Sequence, residues 1–116
     1  MDNIKIELPS NPQYLQMLRL STASIANKVG FDVDKLEDIK VVVSEIFTYL
    51  LPDNEKMLVN FDLLENGLSI SFDRKKMEKE EGLNDASFEI KKQILLYLSD
   101  DLQLEDEKIT VIINKE

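Results

Sequence analysis

Cysteine, histidine and tryptophan are missing from this 116-residue chain, and glycine and proline occur only three times each. Without cysteine there is no disulfide framework and no thiolate metal site. Without histidine the commonest general base and the commonest transition-metal ligand are gone, and no metal site is expected. Basic residues are few: 14 Lys and Arg stand against 23 Asp and Glu, for a formal net charge of −9. That balance argues against direct nucleic-acid binding, which needs a local excess of Lys and Arg. It suits a basic or mixed-charge protein partner, or simple solubility. No apolar run approaches the roughly 20 residues needed to span a bilayer, so no membrane contact is expected. Met1-Asp2-Asn3-Ile4-Lys5 lacks the basic start and apolar stretch of a signal peptide, and the expected location is cytoplasmic.

What remains is ordinary for a globular domain: 43% hydrophobic and 32% charged residues. The length has room for one core, so residues 1–116 read as a single domain.

Ile4, Ile6 and Leu8 alternate with Lys5 and Glu7, the period of a half-buried strand. Asn11-Pro12 is a helix start, since Asn caps free N–H groups and Pro suits the first helical position. Tyr14, Leu15, Leu18, Thr22, Ile25, Ala26 and Val29 then recur at helical spacing, and Gly30 is a natural stop. Asp32 or Asp34 caps a second helix with the stripe Leu36, Ile39, Val43, Ile46, Phe47 and Leu50, closed by Pro52. Lys56 to Leu64 and Leu68 to Asp73 read as strands joined by a hairpin whose Asn66-Gly67 pair suits positive φ. Arg74 to Asp85 is almost wholly charged and reads as an irregular loop. A third helix follows over Ser87 to Ser99. Leu102 and Leu104 mark a short strand, and Ile109, Val111 and Ile113 a last one after a turn at Asp106-Glu107. This order predicts a two-layer α/β sandwich (an α+β fold), its mostly antiparallel sheet covered on one face by three helices.

Within that order the segment Glu37-Asp38-Ile39-Lys40-Val41-Val42-Val43-Ser44-Glu45-Ile46-Phe47-Thr48-Tyr49 stands out. It resembles the helix E-D-[IL]-K-x-A-V-S-E-A-x-T-N-A of the anti-sigma factor serine kinases, which act in bacterial partner-switching modules and belong to the histidine-kinase-like (GHKL) ATPases. Two further stretches agree: Pro9-Ser10 and Tyr14 ahead of a helix containing Arg19, and Leu98-Ser99-Asp100-Asp101-Leu102-Gln103-Leu104 ahead of the last hairpin. The resemblance implies the histidine-kinase-like fold. It also implies a protein that uses ATP and magnesium, holds a sigma factor inactive, phosphorylates a serine on an anti-sigma antagonist, and typically forms a dimer.

The family's active-site motifs are largely missing. The resemblance puts the catalytic carboxylate at Glu45 and a magnesium-binding Asn four residues on, one helical turn along the same face. That second position is Tyr49, and a neutral phenol is a poor magnesium ligand. Glu45 accordingly reads as a remnant on a solvated helix face. In the family an Asp that reads adenine, followed by Gly, comes after the strand. Alternation through Leu68, Ile70 and Phe72 puts these positions at Arg74 and Lys76, and Asp73 would reach the site only through a bulge. The glycines that let backbone N–H groups approach the phosphates correspond to Glu89 and Lys91, around Ile90. Lys75, Lys76 and Lys79 are interleaved with Glu78, Glu80 and Glu81, so they read as a self-neutralising surface rather than a phosphate cradle. Tyr49, Arg74 and Glu89 are thus expected to converge on one emptied nucleotide site.

Three readings follow. The first is a regulatory protein-binding module that recognises a sigma factor or anti-sigma antagonist without ATP. Arg19, where family members use an Arg on the first helix, is its candidate contact. The second is an active serine kinase with a diverged pocket, for which every other part of the phosphoryl-transfer apparatus would need a substitute. The third is a non-catalytic subunit that dimerises through the edges Ile4 to Leu8 or Lys108 to Asn114.

Overall fold

The computed structural model describes residues 2–74 and 86–115. Strand β1 (Asn3–Pro9) is followed by a 3-10 turn (Pro12–Tyr14), helix α1 (Leu15–Val29) and helix α2 (Val33–Leu50). Strands β2 (Lys56–Leu64) and β3 (Gly67–Asp73), helix α3 (Ala86–Leu98), and strands β4 (Asp101–Leu104) and β5 (Lys108–Asn114) complete the order. The five strands form one antiparallel sheet in the order β1-β2-β3-β5-β4. The sandwich and its three helices are therefore as the sequence patterns indicate.

Alternation builds the core. Met57, Val59, Phe61 and Leu63 of β2, Leu68, Ile70 and Phe72 of β3, and Ile109, Val111 and Ile113 of β5 all turn to one buried face. There they meet Leu18 and Ala26 of α1 and Ile39, Val43, Ile46 and Phe47 of α2. Helix α2 is the middle of the helical layer, packing on α1 at one flank and α3 at the other. Its first turn is held by Asp32, whose carboxylate accepts the Lys35 N–H at 2.8 Å. Gly30 ends α1 with φ of 102°, a left-handed conformation that only glycine adopts freely, and Lys115 Nζ donates to the Val29 carbonyl beside it.

Three expectations need correction. Asn11 caps the 3-10 turn through the Gln13 N–H, and the α-helix proper begins at Leu15. The β2–β3 loop is Glu65-Asn66, because Leu64 pairs with Gly67, and neither loop residue has positive φ. Gly67 opens β3 instead, and its role is close approach: a Cβ there would sit 2.6 Å from the Ile113 carbonyl oxygen. Finally, β5 is no edge. It lies between β3 and β4, so Lys108 to Asn114 is already paired on both sides and the sheet's edges are β1 and β4.

Gly67 gives a test with a decided sign. Where the backbone permits it, Gly→Ala raises stability by about 0.4–1 kcal/mol through the unfolded chain. Here the added carbon overlaps a main-chain oxygen, so Gly67→Ala should lower stability by ~1–3 kcal/mol in urea unfolding. A neutral or stabilising result would contradict the close approach.

Candidate functional site

On α2, the stripe Ile39, Val43, Ile46, Phe47 and Leu50 faces the sheet, and the i, i+4 pair Glu45 and Tyr49 comes off its flank toward α3. On α3, Phe88 and Leu95 are buried, and Lys91 lies between them on the same side. The two flanks lock together. Lys91 Nζ donates to Glu45 Oε1 at 2.9 Å, with the two side chains only 20% and 28% exposed. One turn away the Tyr49 and Phe88 rings meet at a centroid distance of 4.9 Å and a tilt of 44°, a spacing and tilt favourable for aromatic contact. Behind these pairs, with Leu95, Leu102 and Ile109 as its apolar floor, the space left is ≈ 10 Å³, about one water molecule's worth.

Glu45 is therefore not the solvated carboxylate its sequence position indicates: it is half-buried and ion-paired. Partial desolvation strengthens such a pair relative to an exposed one, where screening leaves little net gain. Lys91, placed by the resemblance at a phosphate-contacting glycine, is the residue that reaches in. Glu89, two positions earlier, is exposed and takes no part in the cleft. The partnership of Phe88 with Tyr49 has no local signal in the sequence.

Arg74 does not join this cluster. The alternation of β3 carries through to it: Asp73 is exposed, Arg74 is buried, and the β3–β5 register is regular through Asp73 opposite Lys108, with no bulge. Its guanidinium turns to the β4–β5 turn, where Nε donates to the Glu105 carbonyl at 2.9 Å and Nη2 to the same oxygen. Its backbone N–H donates to Glu107. Tyr49, Arg74 and Glu89 therefore do not converge: of the three only Tyr49 lies at the α2–α3 cluster, where Glu45, Phe88 and Lys91 join it. Lys76, like Lys75 and Lys79, lies outside the described residues.

The other flank of the helical layer has a different chemistry. From Leu8 to Phe31 there is no Asp or Glu, in a chain with 23 of them. Helix α1 lies within that stretch, exposing Met17 and Leu20 on its outer face with the half-buried Arg19 at the border. Arg19 makes no hydrogen bond or ion pair with another described residue. The acid-free run was readable in the sequence as a local reversal of its overall charge.

The α2–α3 lock is testable by a double-mutant cycle. Glu45→Gln and Lys91→Met should each reduce stability, and the double variant should lose less than their sum, with a coupling of ~0.5–1 kcal/mol in urea unfolding. Strict additivity would mean that the two side chains do not interact in solution.

No family model matches the chain. Among curated proteins, serine-protein kinase RsbW of Bacillus thuringiensis (strain Al Hakam) is 29% identical over an alignment of 135 positions, gaps included, covering 98% of this chain and 84% of the relative. Serine-protein kinase RsbW of Oceanobacillus iheyensis is 34% identical over 94 residues, 70% of this chain and 60% of that protein. Among solved structures, a Mycobacterium tuberculosis protein with RsbU and RsbW domains superposes with a TM-score of 0.72 at 13% identity, over 98% of this chain and 32% of that one. That likeness shows the fold. In sequence the chain is thus similar to the anti-sigma factor serine kinases over nearly its whole length, and the solved structure shows that it has the fold of an RsbW-containing protein.

Proposed function

We infer that this chain is a regulatory protein-binding module of the anti-sigma type, acting on its partner without nucleotide. The observation that carries this reading is the lock between α2 and α3. Its four side chains include both helix positions that the family resemblance assigns to catalysis and magnesium. Lys91 places a side chain where glycine would let phosphates approach the backbone, and its ammonium is engaged by Glu45. Tyr49 places a ring where a compact oxygen ligand is needed, and that ring rests on Phe88. The ≈ 10 Å³ left behind them compares with the roughly 300–1,000 Å³ of ordinary ligand sites. A magnesium nucleotide does not fit these residues as they stand. A kinase would have to part the ion pair and withdraw the ring before it could bind substrate.

The family resemblance names the partner class: a sigma factor or an anti-sigma antagonist. The acid-free face of α1, with Met17, Leu20 and the uncommitted Arg19, has the apolar and cationic groups to hold an acidic segment of such a partner.

Thermal melting with and without Mg-ATP separates the readings. A ligand at 100 times its Kd adds about 2.7 kcal/mol, several degrees for a domain of this size. No shift is expected, together with nucleotide-independent capture of a sigma factor or antagonist that weakens by ~tenfold in Arg19→Ala. A rise of several degrees with Mg-ATP would restore the kinase reading, and undiminished capture by Arg19→Ala would remove α1 as the contact.

A further inference from the structure

Strand β1 is an edge of the sheet, and its free side is complementary to itself. The Leu63 N–H donates to the Asp2 carbonyl at 2.9 Å and the Ser10 N–H to the Glu55 carbonyl at 3.0 Å, the next pairs beyond the two ends of the β1–β2 register. Bonded pairs alternate along an antiparallel ladder, so between those ends Ile4, Ile6 and Leu8 are the residues whose backbone bonds to β2. The N–H and C=O groups of Lys5 and Glu7 therefore point away from the sheet. Pro9 falls on the same outward side, where its missing N–H costs no ladder bond.

The side chains alternate as well. Lys5 and Glu7 are exposed on the helix-free face, while Ile4 and Ile6, on the helix side, are only half-buried at the rim of the core. Lys5 makes no ion pair among the described residues, and Glu7 has a loose one with Lys56 at 3.9 Å. A second β1 can bond antiparallel to this edge only where outward groups meet outward groups, so the two-fold axis must pass through a residue. Centring on Lys5 or on Glu7 sets like charges directly opposite each other, which is destabilising. Centring on Ile4 or on Leu8 shortens the overlap and leaves Glu7 or Lys5 without a partner. Centring on Ile6 sets Lys5 opposite Glu7 twice. The sheet's other edge has no such solution: β4 is four residues long, its one charge is Asp101, and Glu105 follows it.

We propose that two copies of this chain pair antiparallel through β1 about a two-fold axis at Ile6, joining their five-stranded sheets edge to edge. The Lys5 and Glu7 backbones supply four hydrogen bonds, and their side chains form two ion pairs on the helix-free face. On the helix side Ile6 meets Ile6 of the other copy and Ile4 meets Leu8, covering apolar surface that one copy leaves half-exposed. The contact does not involve the α2–α3 cleft, so its failure would leave the nucleotide-free reading untouched.

Sedimentation equilibrium of the full chain should show a dimer that dissociates on dilution. Lys5→Glu and Glu7→Lys each create two like-charge pairs and should each weaken it about tenfold. The double variant should restore it, and so should an equimolar mixture of the two single variants, since each supplies the charge that the other lacks. Both positions are exposed, and unchanged melting temperatures establish that the variants are folded. The register has its own readout, because the chain has no cysteine. Opposite Ile6 residues form a non-hydrogen-bonded pair with Cα atoms about 4.5 Å apart, within disulfide range. Ile6→Cys should therefore cross-link to a covalent dimer under mild oxidation, and Ile4→Cys, which lies opposite Leu8, should not. A chain that stays monomeric would overturn the proposal, and so would a monomer whose β1 amides shift only when an extended peptide is added, which would give the edge to a partner's strand. A dimer indifferent to Lys5→Glu and Glu7→Lys, or one cross-linked equally through Ile4→Cys, would also overturn it.

Discussion

The ammonium of Lys91 on the carboxylate of Glu45 is the contact on which the functional half of this molecule turns. It joins residues 46 positions apart in the sequence and sets the register of α3 against α2. In that register Phe88 meets the ring of Tyr49, Leu95 is buried in the core, and Ile90 and Tyr97 face outward. A half-buried ion pair of this kind adds modest stability, because desolvation offsets much of the Coulombic gain. Its larger effect is geometric. It closes with side chains a cleft that a nucleotide-binding relative must keep open.

The sheet makes this closure possible without disturbing the rest of the fold. Strands β2, β3 and β5 present an uninterrupted apolar face on which α1 and α2 pack, joined by Leu95 of α3. Arg74 stands apart from the lock. At the end of β3 it braces the β4–β5 turn through two donors to one carbonyl, which gives a buried cation a purely structural task. Two positions that the family resemblance ties to ligand chemistry, Tyr49 and Arg74, here make a ring contact and hydrogen bonds to backbone. The outer faces of α1 and α3 stand on opposite flanks of α2, and both expose apolar side chains.

Much of this was legible in the sequence because its signals are local. Period-two alternation located β2, β3 and β5, and it carried far enough to turn Asp73 outward and Arg74 inward. Gly30 and Asp32 announce helix ends, whereas Asn11 announces only the 3-10 turn ahead of α1. What escaped depends on contacts between distant segments. Nothing near Glu45 announces Lys91, so the carboxylate read as solvated. Nothing near Gly67 announces the Ile113 carbonyl, so its glycine was credited to turn geometry. Likewise, the place of β5 inside the sheet follows from the return of the chain through α3, which sets β4 on the outside and leaves β5 to pair with β3. Strand order is a tertiary property, and alternation within one strand carries no information about its neighbours.

The central claim is that side chains of this protein hold the place where its relatives' motifs would hold a magnesium nucleotide. The most direct measurement is a ¹H–¹⁵N NMR titration with Mg-ATP, following the amides of residues 41–50 of α2 and 88–95 of α3. If Glu45, Tyr49, Phe88 and Lys91 keep the cleft closed, those resonances stay in place at nucleotide concentrations well above the millimolar range of weak binding. Saturable shifts confined to these two segments would show that the lock opens to admit nucleotide, and would contradict the claim.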